Sequence, residues 1–152
     1  MSKIIKANLL NFFEEYEGDI SIGHCVNCQG VMGAGIAKEI KRRYPIAFSN
    51  YKLACERGTR GHLGKISRHI ANSGNHFKII FNLHGQEFYG RGKKYLMESE
   101  LLNALRIMDS QTEGTVAFPY MMGCGLAGGD WDIVSFMIEE VFEGREIIYC
   151  KL

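Results

Sequence analysis

Two glycine-rich stretches hold the residues best placed for chemistry: GHCVNCQGVMGAGIA at 23–37 and PYMMGCGLAGGDW at 119–131. Each follows a short apolar run and precedes a helical pattern. A loop of that kind leaves backbone N–H groups at a helix N-terminus, where the helix dipole favours anions. Two such loops closing on one ligand would suit the two phosphates of a diphosphate, held by main chain and not by a lysine. Neither loop follows the commoner phosphate-binding patterns. There is no G-x-x-x-x-G-K-[ST], and no G-x-G-x-x-G followed by an acidic residue about twenty positions later. This argues against a nicotinamide dehydrogenase and, with no metal-binding pair beside the loops, against phosphoryl transfer from a nucleoside triphosphate.

Cys25 and Cys28 form a C-x2-C pair. A structural zinc site needs four ligands, and no second such pair or spaced histidine pair completes the set. A thioredoxin-like redox pair opens a helix, whereas this one continues a strand into a glycine-rich loop. With Cys55, Cys124 and Cys150 the cysteines number five, mostly in apolar, strand-like surroundings. They read as buried thiols of a reduced, cytoplasmic protein, with no metal and no cofactor expected.

The elements that must position the two loops alternate along the chain. Residues 3–9 read as a first strand and 10–16 as a short helix with Asn11 or a neighbour near its start. A buried strand spans 20–26. Helical spacing runs over 35–43, ending in Lys41, Arg42 and Arg43, where cations suit the dipole. A further helix starts at Pro45, with Ala47, Tyr51, Ala54 and Cys55 on one face and Gly58 as its stop. Residues 62–70 and 77–83 are strand candidates separated by a turn at 72–75. Residues 95–109 form an amphipathic helix through Leu101, Leu102, Leu105 and Met108. A strand at 115–119, a helix at 130–142 and a strand at 145–151 complete the order. That alternation predicts a three-layer α/β/α sandwich, one domain over residues 1–152. In such sheets ligands gather at the carboxyl ends of strands, where both glycine loops fall.

Composition agrees. The 152 residues are 46% hydrophobic and 23% charged, ample for one core, and the net charge of +1 marks no broad nucleic-acid surface. No signal peptide is expected ahead of the first strand. No apolar run approaches the roughly 20 residues a membrane helix needs.

These residues resemble the macro domain family, most closely its branch of ADP-ribose 1″-phosphate phosphatases and terminal ADP-ribose glycohydrolases. HCVNCQGVMGAGIA resembles the family's first ligand loop and MGCGLAGGDW its second. The segment Ala7-Asn8-Leu9-Leu10 is similar to a turn whose acidic residue takes the adenine amino group, a place held here by Asn8. The resemblance implies a mixed central sheet and ADP-ribose as ligand. Asn8 and Leu9 would lie at adenine, together with the terminal strand ending in Tyr149 and Leu152. Met32, Gly33, Ala34, Gly35 and Ile36 would form the first diphosphate loop. Gly123, Cys124, Gly125, Leu126 and Ala127 would form the second. Asn27 would meet the distal ribose near its anomeric carbon, or else stabilise its own turn. His24 would approach that ribose or fill a strand end. Asp130 would act as a base or cap the following helix. Trp131 is expected to pack against the second loop.

The stretch 82–91 reads as a substrate-covering loop, with Tyr89 or Phe88 near the distal ribose. Arg91 would meet a terminal phosphate or stay in solvent. The branch's glycohydrolases use a lysine nucleophile and a second-loop aspartate. The aspartate's place holds Ala127, and the lysine's falls near Leu83 or His84, which removes a lysine-linked covalent route. The resemblance thus implies a monomer that binds ADP-ribose and hydrolyses a group from its distal ribose, in the manner of a 1″-phosphate phosphatase. The alternatives are removal of ADP-ribose from acidic side chains of a modified protein, deacetylation of O-acetyl-ADP-ribose, and a reader module without turnover.

Overall fold

A computed structural model of the chain describes residues 2–56, 58, 62–71, 74–90 and 92–152. Its elements run β1 (Ser2–Lys6), α1 (Leu9–Glu15), β2 (Ile20–Val26), α2 (Gly35–Arg43), α3 (Pro45–Cys55), β3 (Ile66–Ile70), β4 (Lys78–His84), α4 (Glu98–Ser110), β5 (Thr115–Pro119), α5 (Trp131–Val141) and β6 (Ile147–Lys151). One six-stranded sheet has the order β1-β6-β5-β2-β4-β3. Neighbours are parallel except β3 and β4, which are antiparallel, so the sheet is mixed.

Alternate strand residues serve opposite faces, as the pleat requires. Ile20 and Ile22 of β2 and Ile80 of β4 pack with Leu10 and Phe13 of α1, Ile40 of α2 and Ala47 of α3. Ile79, Phe81 and Leu83 of β4 face the other way, onto Leu101, Leu105 and Met108 of α4 and Val134 and Ile138 of α5. The result is an α/β/α sandwich. Strands β2 and β4 are covered on both sides and read as near-continuous apolar runs. At Gly23 side chains of the two neighbouring strands close over the backbone, so that an added Cβ would sit 2.8 Å from Phe118 and 2.9 Å from Leu83.

Several boundaries differ from the sequence expectation, each for a local reason. The first strand stops at Lys6 because Asn8 turns the chain, its Oδ1 accepting from the Asn11 amide at 2.9 Å as the cap of α1. Helix α4 begins at Glu98 and not at residue 95, since the amides of Tyr95 and Leu96 donate to the Ala127 carbonyl at 2.8 and 3.0 Å. β3 begins at Ile66 because residues 62–65 close a turn, Lys65 donating to the His62 carbonyl. Asn72 and Ser73 of the expected 72–75 turn lie outside the described residues.

From β2 the chain moves through α2 and α3 toward β4 and β3; from β5 it moves through α5 to β6. The neighbouring strands β2 and β5 therefore send their connections in opposite directions, and a crevice opens above their carboxyl ends. Among the described residues no helix is long and apolar enough to cross a membrane.

Candidate functional site

That crevice is a cavity of about 520 Å³, within the range that holds small-molecule ligands. Asn27, Val31, Gly33 and Ala34 line it from the β2–α2 connection, and Gly123, Gly125, Leu126 and Ala127 from the β5–α5 connection. A third wall comes from Gln86, Tyr89 and Gly90 after β4, with Cys25 at the end of β2. Among the described residues, the amides of Gly33, Ala34, Gly35 and Ile36 donate to no protein acceptor, nor do those of Gly125, Leu126 and Ala127. Free amides at a helix start beside a cavity form a ready anion site.

The first loop is shaped by its own asparagine. Asn27 Oδ1 accepts from the Gln29 amide at 2.9 Å and from the Tyr51 hydroxyl at 2.7 Å, while Nδ2 donates to the Val31 carbonyl at 2.9 Å. The Tyr51 hydroxyl in turn accepts from the Val31 amide at 3.0 Å. One Nδ2 hydrogen of Asn27 is left for a ligand.

The second loop is a run of tight turns, closed by Met122 to Pro119, Cys124 to Met121 and Gly128 to Gly125. Met121, Gly123 and Gly128 take positive φ values of 63°, 75° and 76°. Gly129 is required by contact: a Cβ there would lie 2.6 Å from the Gly123 carbonyl oxygen. The first and third loops are stitched together. Cys28 donates its amide to the Glu87 carbonyl, and the Tyr89 amide donates to Gln29 Oε1, both at 3.0 Å.

The expected site residues divide between the wall and its surroundings. Asn27, Gly33, Ala34, Tyr89, Gly123, Gly125, Leu126 and Ala127 line the cavity. Gly35 and Ile36 open α2 just behind it, and Cys124 sits between two lining glycines with its thiol raised by burial to about 11. Met32 is buried against Val26 and Tyr51 beneath the loop. Asn8 caps α1, Leu9 is in the core, and Leu152 is 88% exposed beyond β6; none of them is part of the wall. Asp130 caps α5, its Oδ1 accepting from the Asp132 amide at 2.9 Å. Trp131 packs edge-on between Tyr120 and Tyr149. Arg91 lies outside the described residues.

His24 is buried on the α2–α3 face of β2 and does not line the cavity, which Cys25 and Val26 reach one and two residues further along the strand. Its Nε2 donates to Asn82 Oδ1 at 2.7 Å, since an amide oxygen can only accept. Asn82 Nδ2 donates to Ser67 Oγ at 3.1 Å, and Ser67 Oγ shares a hydrogen bond with His84 Nε2 at 3.0 Å. Burial depresses His24 to about 4 and His84 to about 3, so both rings are neutral at physiological pH. The same effect pushes the Cys25 thiol up to about 12, which keeps it protonated and poorly nucleophilic.

The sequence reading placed Gln86 and Gly90 only within the covering loop 82–91, gave no wall role to Cys25, Val26, Val31 or Ala37, and placed Tyr51 only as core. For Cys25 the two-residue period of β2 gave only its face relative to His24, not which face meets the cavity. Leu83 and His84, where the family's lysine was expected to fall, are both buried in the packing under the sheet's end and do not line the cavity.

The fold and crevice define an α/β/α sandwich whose cavity is walled chiefly by two glycine-rich loops from adjacent strands. The chain belongs to the macro domain family, whose model matches residues 24–138. It is similar to a DNA ADP-ribosyl glycohydrolase of Mycobacterium tuberculosis, 32% identical over 121 residues, or 78% of this chain and 33% of the relative. It also resembles an ADP-ribose 1″-phosphate phosphatase of Aspergillus fumigatus, 43% identical over 49 residues, covering 28% of this chain and 24% of that protein. The chain thus spans about a third or less of the length of these relatives. The solved macrodomain of Mycobacterium tuberculosis DarG superposes with a TM-score of 0.77 at 28% identity, over 99% of this chain and 97% of that one.

Proposed function

We propose that this protein binds ADP-ribose or a close derivative and hydrolyses a group from the distal ribose, with ADP-ribose 1″-phosphate as the favoured substrate. The observation that carries the reading is the pair of loops on adjacent strands, β2 and β5, whose partnerless amides border one cavity. Their place on two sides of one cavity suits a diphosphate, and uncharged amides can hold it without a lysine. The names of the two relatives, both acting on ADP-ribosyl compounds, support the ligand class.

In the phosphatase reaction a water oxygen bonds to the 1″-phosphorus, the bond from phosphorus to the ribose oxygen breaks, and the water's proton ends on that oxygen. Asn27 and the loops position the reacting groups, and nearby amides stabilise the charge that develops. With no lysine in the wall, the same positioned water serves for cleavage of an ADP-ribosyl ester or an O-acetyl group.

A second reading is favoured by a specific observation. Among the described residues lining the cavity there is no carboxylate, lysine or histidine. That composition suits a reader module that holds ADP-ribosylated protein without turnover. Calorimetry with ADP-ribose, alongside phosphate release from ADP-ribose 1″-phosphate and ADP-ribose release from an ADP-ribosylated carboxylate, separates the two. Binding with phosphate release supports the enzyme, and binding without any turnover supports the reader. Absence of binding overturns both.

A further inference from the structure

The diphosphate loops occupy the middle of the crevice, above β2 and β5. Beyond them, on the β4 side, the wall consists of Cys25, Asn27, Gln86 and Tyr89. This is the end of the cavity with polar side chains, and their hydrogen bonds are unevenly used. Asn27 Oδ1 is saturated by Tyr51 and Gln29, leaving this residue a donor only. Gln86 is the converse. Its Nε2 donates to the Phe88 carbonyl at 2.8 Å, but its Oε1 has only the Cys25 thiol, at 3.8 Å. A thiol is a weak donor, so a residue of the cavity wall carries a strong acceptor with capacity to spare.

Gln86 is also rigidly presented. Its backbone bridges to Leu96, and the flanking Gly85 carbonyl accepts from the Met97 amide at 2.8 Å. Gly85 admits no side chain, since a Cβ would lie 2.9 Å from the Cys25 sulfur. The side chain itself is buried and pinned through Phe88. A buried, held acceptor without a strong donor is a group whose partner arrives with the ligand.

We infer that Gln86 is a specificity-determining residue: its Oε1 accepts a hydrogen bond from a hydroxyl of the sugar beyond the diphosphate, opposite the donor of Asn27. The inference rests on the ADP-ribose reading above and adds to it the group that distinguishes ADP-ribose from ADP. A site built around such an acceptor discriminates against a ligand lacking the hydroxyl, because the acceptor is then left buried and unpaired.

The test is calorimetry of wild type, Gln86→Leu and Gln86→Glu with ADP-ribose and with ADP, after melting curves confirm folding. Gln86→Leu is expected to weaken ADP-ribose about tenfold while changing ADP by no more than about twofold. Gln86→Glu keeps an acceptor but loses the bond to Phe88; its added charge disfavours both ligands alike, so the ratio of the two affinities stays at the wild-type value. Equal loss for both ligands in Gln86→Leu, or loss for neither, overturns the inference and leaves the diphosphate reading standing. If wild type binds neither ligand, the ADP-ribose reading itself fails. Should Gln86→Leu not fold, wild type is measured with ADP-ribose analogues each lacking one distal-ribose hydroxyl. At least one is expected to bind about tenfold more weakly, and equal affinity for all of them overturns the inference.

Discussion

Replacing Gly125 with glutamate puts a carboxylate into the cavity wall while sparing the fold. A Cβ built at Gly125 meets nothing within 4 Å, and its φ is not positive, so neither packing nor backbone opposes a side chain there. Loss of glycine freedom in the unfolded chain even favours the variant slightly, by about 0.4–1 kcal/mol. Gly35 makes a poorer probe: its φ of 57° adds strain to any substitution. The cost of Gly125→Glu therefore falls on the ligand. A carboxylate about 5 Å from a phosphate charge, at an effective dielectric of about 20, raises the energy of the complex by about 3 kcal/mol. That is a loss of more than about a hundredfold in affinity, before any steric term. Gly125→Ala adds a methyl without charge and serves as the control. The assay is calorimetric titration with ADP-ribose beside a thermal melt. A folded Gly125→Glu protein binding within about threefold of wild type would refute the placement of the diphosphate against this loop.

Tyr51→Phe removes the hydroxyl that joins Asn27 to Val31, and is expected to lower stability by about 1–2 kcal/mol and to weaken ADP-ribose binding as the first loop loosens; urea denaturation and calorimetry read the two effects. His24 and His84 are held neutral by burial, with folded values of about 4 and about 3 against about 6.5 when unfolded. The unfolded chain then binds more protons, so their contribution is complete above pH 6.5 and is lost as pH falls through those folded values. Urea midpoints should drop over that range, and His84→Gln should show a shallower drop. Lys78 is buried and its ammonium donates to the carbonyls of Phe13 and Glu14, both at 2.8 Å, closing the end of α1, a helix with no basic residue in its own last turn. Lys78→Met should cost about 1–3 kcal/mol in urea denaturation, chiefly from the buried Phe13 carbonyl left unpaired.

Much of the scaffold could be read from the chain. β2, α2 and β5 occupy the expected residues because strong local signals agree there: buried β-branched runs, a glycine before the helix and a basic last turn. Boundaries slipped where a distant partner intervened. The segment at 95–97 has the apolar spacing of a helix, yet Ala127 draws its amides into the second loop. The glycine loops could be recognised as ligand loops for the same reason that β2 could be placed, since their residue types suit few other backbone paths.

Side-chain duties were the harder part. Periodicity along β2 separates His24 from Cys25 by face, but cannot say which face borders the cavity, because that depends on which helices cover the sheet. Asn27 looked equally suited to a ligand or to its own turn; Tyr51, twenty-four positions away on α3, commits its oxygen to the loop. Gln86 fell within the expected covering loop but with no role of its own, and its spare acceptor exists only because Phe88 takes the donor and Cys25 offers a weak one. Local spacing thus decided the elements and the two loops, since backbone preference and hydrophobic period act over a few residues. Which polar atoms stay unpaired at the cavity was decided by tertiary contacts alone, because hydrogen-bond capacity is used up by groups that meet only when the chain is folded.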